Sequence, residues 1–135
     1  MMKLKIVSIL GYLKNILFIC EEYNKKMAMK KWDFSTMASL IKQNVLEVDN
    51  TAEVWMYGSR VRGDAHEESD WDVLVLSSKD KLTFQEEEKF MDHICNLMVQ
   101  TGQAIQLFAY GAKDWHTCHS ITPFYKSVQT EAVRI

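Results

Sequence analysis

The sequence predicts a small mixed α/β (α+β) domain, with a sheet of three or four strands flanked by helices. The chain has 135 residues, which is enough for one hydrophobic core. Helical and strand patterns alternate from Trp32 onward, and residues 71–76 are nearly all apolar after an acidic start, as is typical of a central strand. Apolar residues at 47% and charged residues at 25% fit a globular protein rather than a disordered chain.

Residues 1–31 are predicted to form an apolar helix and a charged connector, followed by a domain at residues 32–135. The helix is indicated by an apolar stripe with alternating spacings of four and three, at Ile6, Leu10, Leu13, Leu17 and Cys20. Lys14 interrupts the apolar run short of the roughly 20 residues needed to span a bilayer, so we expect no membrane segment. The helix would pack on the domain or on a partner. Alternatively, translation begins at Met27 or Met29.

The first helix of the predicted domain begins at a cap formed by Asp33 or Ser35 and ends near Val48. Its expected buried face consists of Phe34, Met37, Leu40, Ile41 and Val45. A short strand at residues 52–57 follows, and the second strand is the apolar segment 71–76.

The second half of the predicted domain alternates in the same way. Thr83 and Glu86 match a capping box, which predicts a helix to about Gln100. Its expected buried face consists of Phe84, Phe90, Met91, Ile94, Leu97 and Met98. Residues 104–110 form the third predicted strand, and a last helix is predicted over residues 123–131 because a proline occupies its first turn.

Charge and cysteine content narrow the class of protein. The formal net charge of −2 provides no basic surface, so a long nucleic acid is not expected as a partner. Cys20, Cys95 and Cys118 are odd in number and lack metal-binding spacing, which favours reduced, mostly buried thiols in a cytoplasmic protein.

Two aspartates at the start of the second strand are the first candidate site residues. Asp70 and Asp72 point to the same face of a strand, because side chains alternate, while Trp71 points to the other face. Two carboxylates this close repel each other unless a cation lies between them. Oxygen ligands suit Mg²⁺, so the pair predicts a magnesium site.

The segment that follows the first strand supplies the second group of candidates. Gly58 allows a sharp turn and a close approach to a ligand, and Ser59 can open a short helix with its hydroxyl and amide groups facing a phosphate. Arg60 and Arg62 add two positive charges suited to phosphate oxygens. Together with the aspartate pair, these residues predict a site for magnesium and a nucleoside triphosphate.

Gly58-Ser59, ten further residues and then Asp70-x-Asp72 resemble the signature of the DNA polymerase β-type nucleotidyltransferase superfamily. The chain is most similar to the small minimal nucleotidyltransferases and to antibiotic nucleotidyltransferase domains, over residues 32–135. Lys113-Asp114-Trp115 and the segment from Thr122-Pro123-Phe124-Tyr125 through Glu131-Ala132-Val133 also resemble small bacterial members, with less specificity.

The resemblance implies a fold, a reaction and site roles. Asp70 and Asp72 would be catalytic ligands of two Mg²⁺ ions. Gly58 and Ser59 would hold the triphosphate of ATP, with Arg60 or Arg62 as an additional phosphate contact. An acceptor hydroxyl would attack the α-phosphate and pyrophosphate would leave.

One departure concerns the third carboxylate that the family places on a later strand. The corresponding strand here has no acid, and Gln106 is the best candidate for that position. Glutamine can coordinate a cation but cannot act as a base. The alternatives are that the third acid is dispensable, that an acid such as Asp114 replaces it, or that activity is impaired.

Three functions are compatible with these residues. The first is transfer of AMP to a partner protein, because the chain has no added helical domain to hold a small acceptor; the resemblance implies a HEPN-type ribonuclease toxin as that partner and an antitoxin role. A second copy of the chain could also complete acceptor recognition. The second is modification of an aminoglycoside-like antibiotic. The third is a catalytically weak module that binds a nucleotide or a toxin, which Gln106 favours.

Overall fold

The computed structural model describes residues 2–28 and 32–135, and side chains within residues 9–25 and 32–135. The chain divides into two compact units, Met1–Lys31 and Trp32–Ile135. Its elements are α1 (Met2–Ala28), α2 (Phe34–Val48), β1 (Glu53–Tyr57), α3 (Ser59–Arg62), β2 (Trp71–Ser77), α4 (Phe84–Thr101), β3 (Ile105–Gly111), α5 (Ala112–Thr117), α6 (Pro123–Glu131) and β4 (Val133–Arg134).

The first unit consists of α1, which is the helix predicted from the apolar stripe. The helix continues through the charged stretch to Ala28, and the rest of the predicted connector, residues 29–31, lies outside the described residues. Every described side chain of α1 is exposed, including Leu10, Leu13 and Leu17 of the stripe, while that of Ile6 is not among them. No helix within residues 2–28 or 32–135 is both long and apolar enough to cross a membrane.

The second unit is built on a four-stranded mixed sheet in the order β3-β2-β1-β4. β1 runs antiparallel to both β2 and β4, whereas β2 and β3 are parallel because α4 connects them. The prediction of a mixed α/β domain with three or four strands is therefore confirmed.

Helices cover both faces of the sheet and divide the core in two. The larger cluster lies under α2 and α4 and includes Met37, Ile41, Val54, Met56, Val73, Val75, Phe90 and Ile94. The smaller cluster lies under α5 and α6 and consists of Tyr57, Leu74, Leu76, Trp115 and Val128. Alternation along β2 decides this division, because Val73 and Val75 face one layer while Leu74 and Leu76 face the other. Asp72 shares the face of Leu74.

Several burial predictions were wrong. Phe84 is 74% exposed and Met91 41% exposed, because the buried stripe of α4 runs through Phe90, Ile94 and Leu97 instead. Phe34 begins α2 and reaches only the rim of the core, where its ring lies 6.3 Å from that of Trp71. The three cysteines are free, as expected, but all are exposed.

Candidate active site

The turn after β1 has a backbone conformation that only glycine adopts readily. Gly58 has φ 79° and ψ −160°, a region that costs about 1–3 kcal/mol for other residues. A Cβ atom at this position would lie 2.1 Å from Oδ2 of Asp72. Glycine therefore allows the backbone of the turn to touch one of the two predicted metal ligands.

The register of the sheet places Asp72 between β1 and β3, next to the glycine turn. Asp72 is paired with Tyr57 on β1 and with Gln106 on β3, so the three side chains share one face of the sheet. Asp70 immediately precedes β2 and is exposed, while Asp72 is half-buried. The structure thus brings the glycine turn, the aspartate pair and Gln106 to a common edge.

The charges around Asp72 favour a bound cation. Burial raises the pKa of Asp72 above its ordinary value, and the neighbouring charge of Asp70 raises it further. Arg62 acts in the opposite direction, whereas Glu131 adds a third negative charge nearby. Burial and the charge of Asp72 also raise the pKa of Tyr57. A divalent cation at the aspartate pair would offset this repulsion, so the donor set fits Mg²⁺.

Two ligands from the chain are few for a closed metal site. Among the described residues, no group of three or more histidine, cysteine, aspartate or glutamate side chains is placed to hold one ion. Mg²⁺ accepts such a site, because it retains water molecules and takes oxygen atoms from substrate phosphates.

Arg60 holds the loop that carries the first aspartate. Its Nη2 donates to the carbonyl oxygens of Ser69 at 2.8 Å and Glu67 at 3.3 Å. Its guanidinium carbon lies 4.3 Å from the centre of the buried Trp71 ring. Because Ser69 directly precedes Asp70, Arg60 holds the backbone that positions the Asp70 carboxylate. The sequence predicted a phosphate contact for Arg60 and not this role.

Arg62 also has partners within the protein. Its guanidinium pairs with Glu131 at 3.1 Å and with Asp64 at 3.5 Å. The hydrogen bond to Glu131 raises the pKa of Arg62, and Asp64 adds to the effect. Both predicted phosphate arginines are therefore engaged with other parts of this end of the domain.

Ser59 begins α3 with unused hydrogen-bonding capacity. In the described part of the chain, neither its hydroxyl nor its amide hydrogen makes a hydrogen bond, whereas the carbonyl of Gly58 accepts from Val61 and Arg62 at 3.1 and 3.0 Å. The hydroxyl can both donate and accept. Ser59 is thus the residue of the turn that remains available to a phosphate.

The position predicted for a third carboxylate is occupied by an exposed glutamine. Gln106 lies beside Asp72 in the parallel pair of strands and has no acidic neighbour on β3. Asp114 follows the opposite end of β3, in α5, where it pairs with His119 at 3.3 Å. Asp114 therefore does not replace the missing acid.

Sequence reasoning assigned no role to Glu131, which the structure places at this site. Its Oε1 accepts a hydrogen bond from the Gly58 amide at 3.0 Å. The two residues are 73 positions apart, so no local pattern links them.

A glycine turn packed against an aspartate pair on adjacent strands is the arrangement expected of a nucleotidyltransferase. A family model described as "Polymerase beta, Nucleotidyltransferase" matches residues 39–127, which is more than half of the chain. The chain belongs to this nucleotidyltransferase family. No curated protein matches it.

Among the solved structures that are similar to the chain are two toxin–antitoxin structures. One is the crystal structure of a toxin–antitoxin with AMP-PNP, at 15% sequence identity and a TM-score of 0.47, covering 69% of this chain and 70% of that one. The other is a mutant of the toxin–antitoxin MntA-HpeT, at 16% identity and a TM-score of 0.49, covering 78% of this chain and 72% of that one.

Proposed function

We propose that this chain is a magnesium-dependent nucleotidyltransferase that moves AMP from ATP to a hydroxyl group on a partner protein. The observation that carries the proposal is the contact between the turn and the strand. Gly58 lies so close to Asp72 that a methyl group would collide with its carboxylate. The phosphate-binding turn and the metal-binding pair therefore act on one bound molecule.

Asp70 and Asp72 would hold the magnesium ions, two by resemblance to the family. Bound Mg²⁺ would neutralise phosphate charge and stabilise the oxygens of an in-line displacement. Asp72 is half-buried on β2, and Arg60 donates at 2.8 Å to the carbonyl oxygen of Ser69, the residue before Asp70. A rigid ligand pair limits the reorganisation required when ATP binds.

The turn supplies the remaining contacts with the triphosphate. Ser59 would donate its hydroxyl and amide hydrogens to phosphate oxygens, since neither has a partner within the described residues. The absence of a Cβ atom at Gly58 would let the phosphates approach the backbone. Gln106 would coordinate a cation through its carbonyl oxygen and would not accept the proton of the acceptor hydroxyl, because an amide is not a base.

The acceptor is proposed to be a protein. The net charge of −2 gives no basic surface for RNA. Large apolar side chains of α1 are exposed, with Tyr12 at 70% and Ile19 at 64%, which is typical of a surface that meets another protein. The resemblance to minimal nucleotidyltransferases favours a HEPN-type toxin as the partner and an antitoxin role for this chain.

A second candidate function is favoured by Gln106 alone. Without a third carboxylate beside Asp72, the chain could bind Mg²⁺ and ATP yet turn over too slowly to matter. In that case it would be a nucleotide-dependent binding module for the same partner.

The proposal can be tested by calorimetry and mass spectrometry together. Wild-type protein should bind ATP only with Mg²⁺, and Asp72→Asn should weaken binding by more than about tenfold, or 1.4 kcal/mol. Asp92→Asn, an exposed aspartate on α4, is the matched control and should bind as wild type does.

The acceptor is tested by incubating the protein, Mg²⁺ and ATP with the product of the adjacent gene, followed by intact-mass measurement. A partner that gains AMP with wild type but not with Asp72→Asn supports the transferase. Binding of ATP without any transfer would favour the module. Adenylylation of an aminoglycoside instead would contradict a protein acceptor.

A further inference from the structure

Glu131 connects the end of the last helix to both ends of α3. Its Oε1 accepts from the Gly58 amide at 3.0 Å and from Nη1 of Arg62 at 3.2 Å, and its Oε2 accepts from the same Nη1 at 3.1 Å. Gly58 directly precedes α3 and Arg62 is its last residue. One carboxylate therefore holds the short helix that begins with Ser59 at both ends.

The backbone around Glu131 is itself fixed. β4 begins two residues later and pairs with β1, with Val133 opposite Met56 and Arg134 opposite Trp55. The amide of Ile135 also donates to the carbonyl of Val54 at 3.0 Å. The side chain of Glu131 is only 20% exposed, so the carboxylate is held against the turn rather than extended into solvent.

The contacts of Glu131 with Gly58 and with Arg62 contribute in different ways. Gly58 is buried, and leaving a buried amide without a partner is destabilising, so the carboxylate satisfies a group that would otherwise be unpaired. The pair with Arg62 balances the charge of Glu131 beside Asp70 and Asp72. Neither contact uses Ser59, whose hydroxyl and amide stay free in the described part of the chain.

We propose that Glu131 is a positioning residue, which clamps Gly58 and Arg62 so that Ser59 faces the triphosphate in a fixed geometry. This inference rests on the proposed function. A gate that blocked the phosphates would instead have to release the buried Gly58 amide each time ATP bound. A clamp requires no such movement, since Ser59 is already free.

The test compares Glu131→Ala and Glu131→Gln with wild type, using Glu88→Ala, an exposed glutamate on α4, as the control. Glu131→Ala should weaken Mg²⁺–ATP binding about tenfold, because a charge-assisted hydrogen bond is lost. Glu131→Gln keeps an oxygen acceptor for Gly58 and should retain most of the affinity. Hydrogen exchange of the Gly58 amide, measured without nucleotide, should be fastest in Glu131→Ala and close to the wild-type rate in Glu131→Gln.

Affinity is measured on the folded fraction, so a purely structural role would leave it unchanged. If Glu131→Ala fails to fold, Glu131→Gln decides the matter: a folded variant that protects the Gly58 amide from exchange as wild type does, yet binds ATP at least about tenfold more weakly, would overturn the clamp. Equal or tighter ATP binding by a folded Glu131→Ala variant would overturn the clamp, and tighter binding would identify a gate. A wild-type protein that binds no ATP would instead overturn the proposed function and, with it, this role of Glu131.

Discussion

One glycine flanks α3 at each end, and comparison of the two shows what the absence of a side chain contributes at Gly58. Gly58 and Gly63 both have positive φ values, of 79° and 87°. A Cβ atom at Gly63 would meet nothing within 4 Å, whereas one at Gly58 would collide with Asp72. The pair therefore separates the cost of backbone strain from the cost of crowding the carboxylate.

Gly58→Ala should damage both stability and nucleotide binding. Backbone strain costs about 1–3 kcal/mol, and displacement of Asp72 adds about 1–3 kcal/mol. Gly63→Ala should lose only about 1–2 kcal/mol and bind Mg²⁺–ATP normally. Denaturant unfolding and calorimetry of the two variants measure these effects. Equal losses of ATP affinity in both variants would mean that contact with Asp72 is not what Gly58 provides.

At the scale of single residues, the sequence predicted which face of a strand a side chain occupies better than it predicted which other side chains it contacts. Alternation along β2 was enough to place Asp72 on one face and Trp71 on the other. The guanidinium of Arg60, however, lies over Trp71, a contact that depends on how the loop of residues 63–70 folds back. Spacing along the chain does not encode that path.

At the scale of elements, the parallel pairing of β2 and β3 determines which side chain lies next to Asp72 at the candidate site. It sets Gln106 beside Asp72, in the position where an acid would complete a set of three. The parallel arrangement follows from α4, which crosses over one face of the sheet between the two strands.

Gln106→Asp should make the site more dependent on magnesium. Without metal, a third negative charge beside Asp72 should lower stability by up to about 1 kcal/mol. With Mg²⁺, the added ligand should produce a larger rise in melting temperature than wild type shows. Thermal denaturation with and without Mg²⁺ measures both effects, with Gln43→Asp, an exposed position on α2, as the control. Equal stabilisation of both variants by Mg²⁺ would place the ion away from Gln106.

Elements with local signals were predictable, and those without were missed. The capping box at Thr83 forms as expected, with Glu86 accepting from the Thr83 amide at 2.8 Å. α5 and β4 were not predicted, because α5 has only six residues and β4 two. β4 exists only because β1 offers it an edge, and such a tertiary cause leaves no periodic pattern in a two-residue segment.

At the scale of the whole molecule, the described hydrophobic core belongs to one unit. Every buried residue of both clusters lies between Met37 and Val128. α1 instead presents exposed apolar side chains, including Phe18 at 62% and Tyr23 at 63%. The described core and the exposed apolar side chains of α1 thus lie in different segments of the chain.

A shortened chain of residues 32–135 should fold cooperatively and bind Mg²⁺–ATP as the full chain does. The full chain should self-associate as its concentration rises, because exposed apolar surface favours association, while the shortened chain should remain a monomer. Sedimentation velocity over a range of concentrations distinguishes the two. Self-association of the shortened chain to the same extent would exclude α1 as the cause.

The contact between Gly58 and Glu131 also has a kinetic consequence. The strands β1 and β2 are near neighbours in the chain, but this hydrogen bond joins residues 73 positions apart. Contacts of such long range form late, because the entropy of closing the loop opposes them until much of the fold is in place. A bond formed after the transition state controls the rate of unfolding more than the rate of folding. We therefore expect the turn at Gly58 to be among the last parts of the domain to become ordered, and loss of Glu131 to shorten the lifetime of the native state more than it delays its formation.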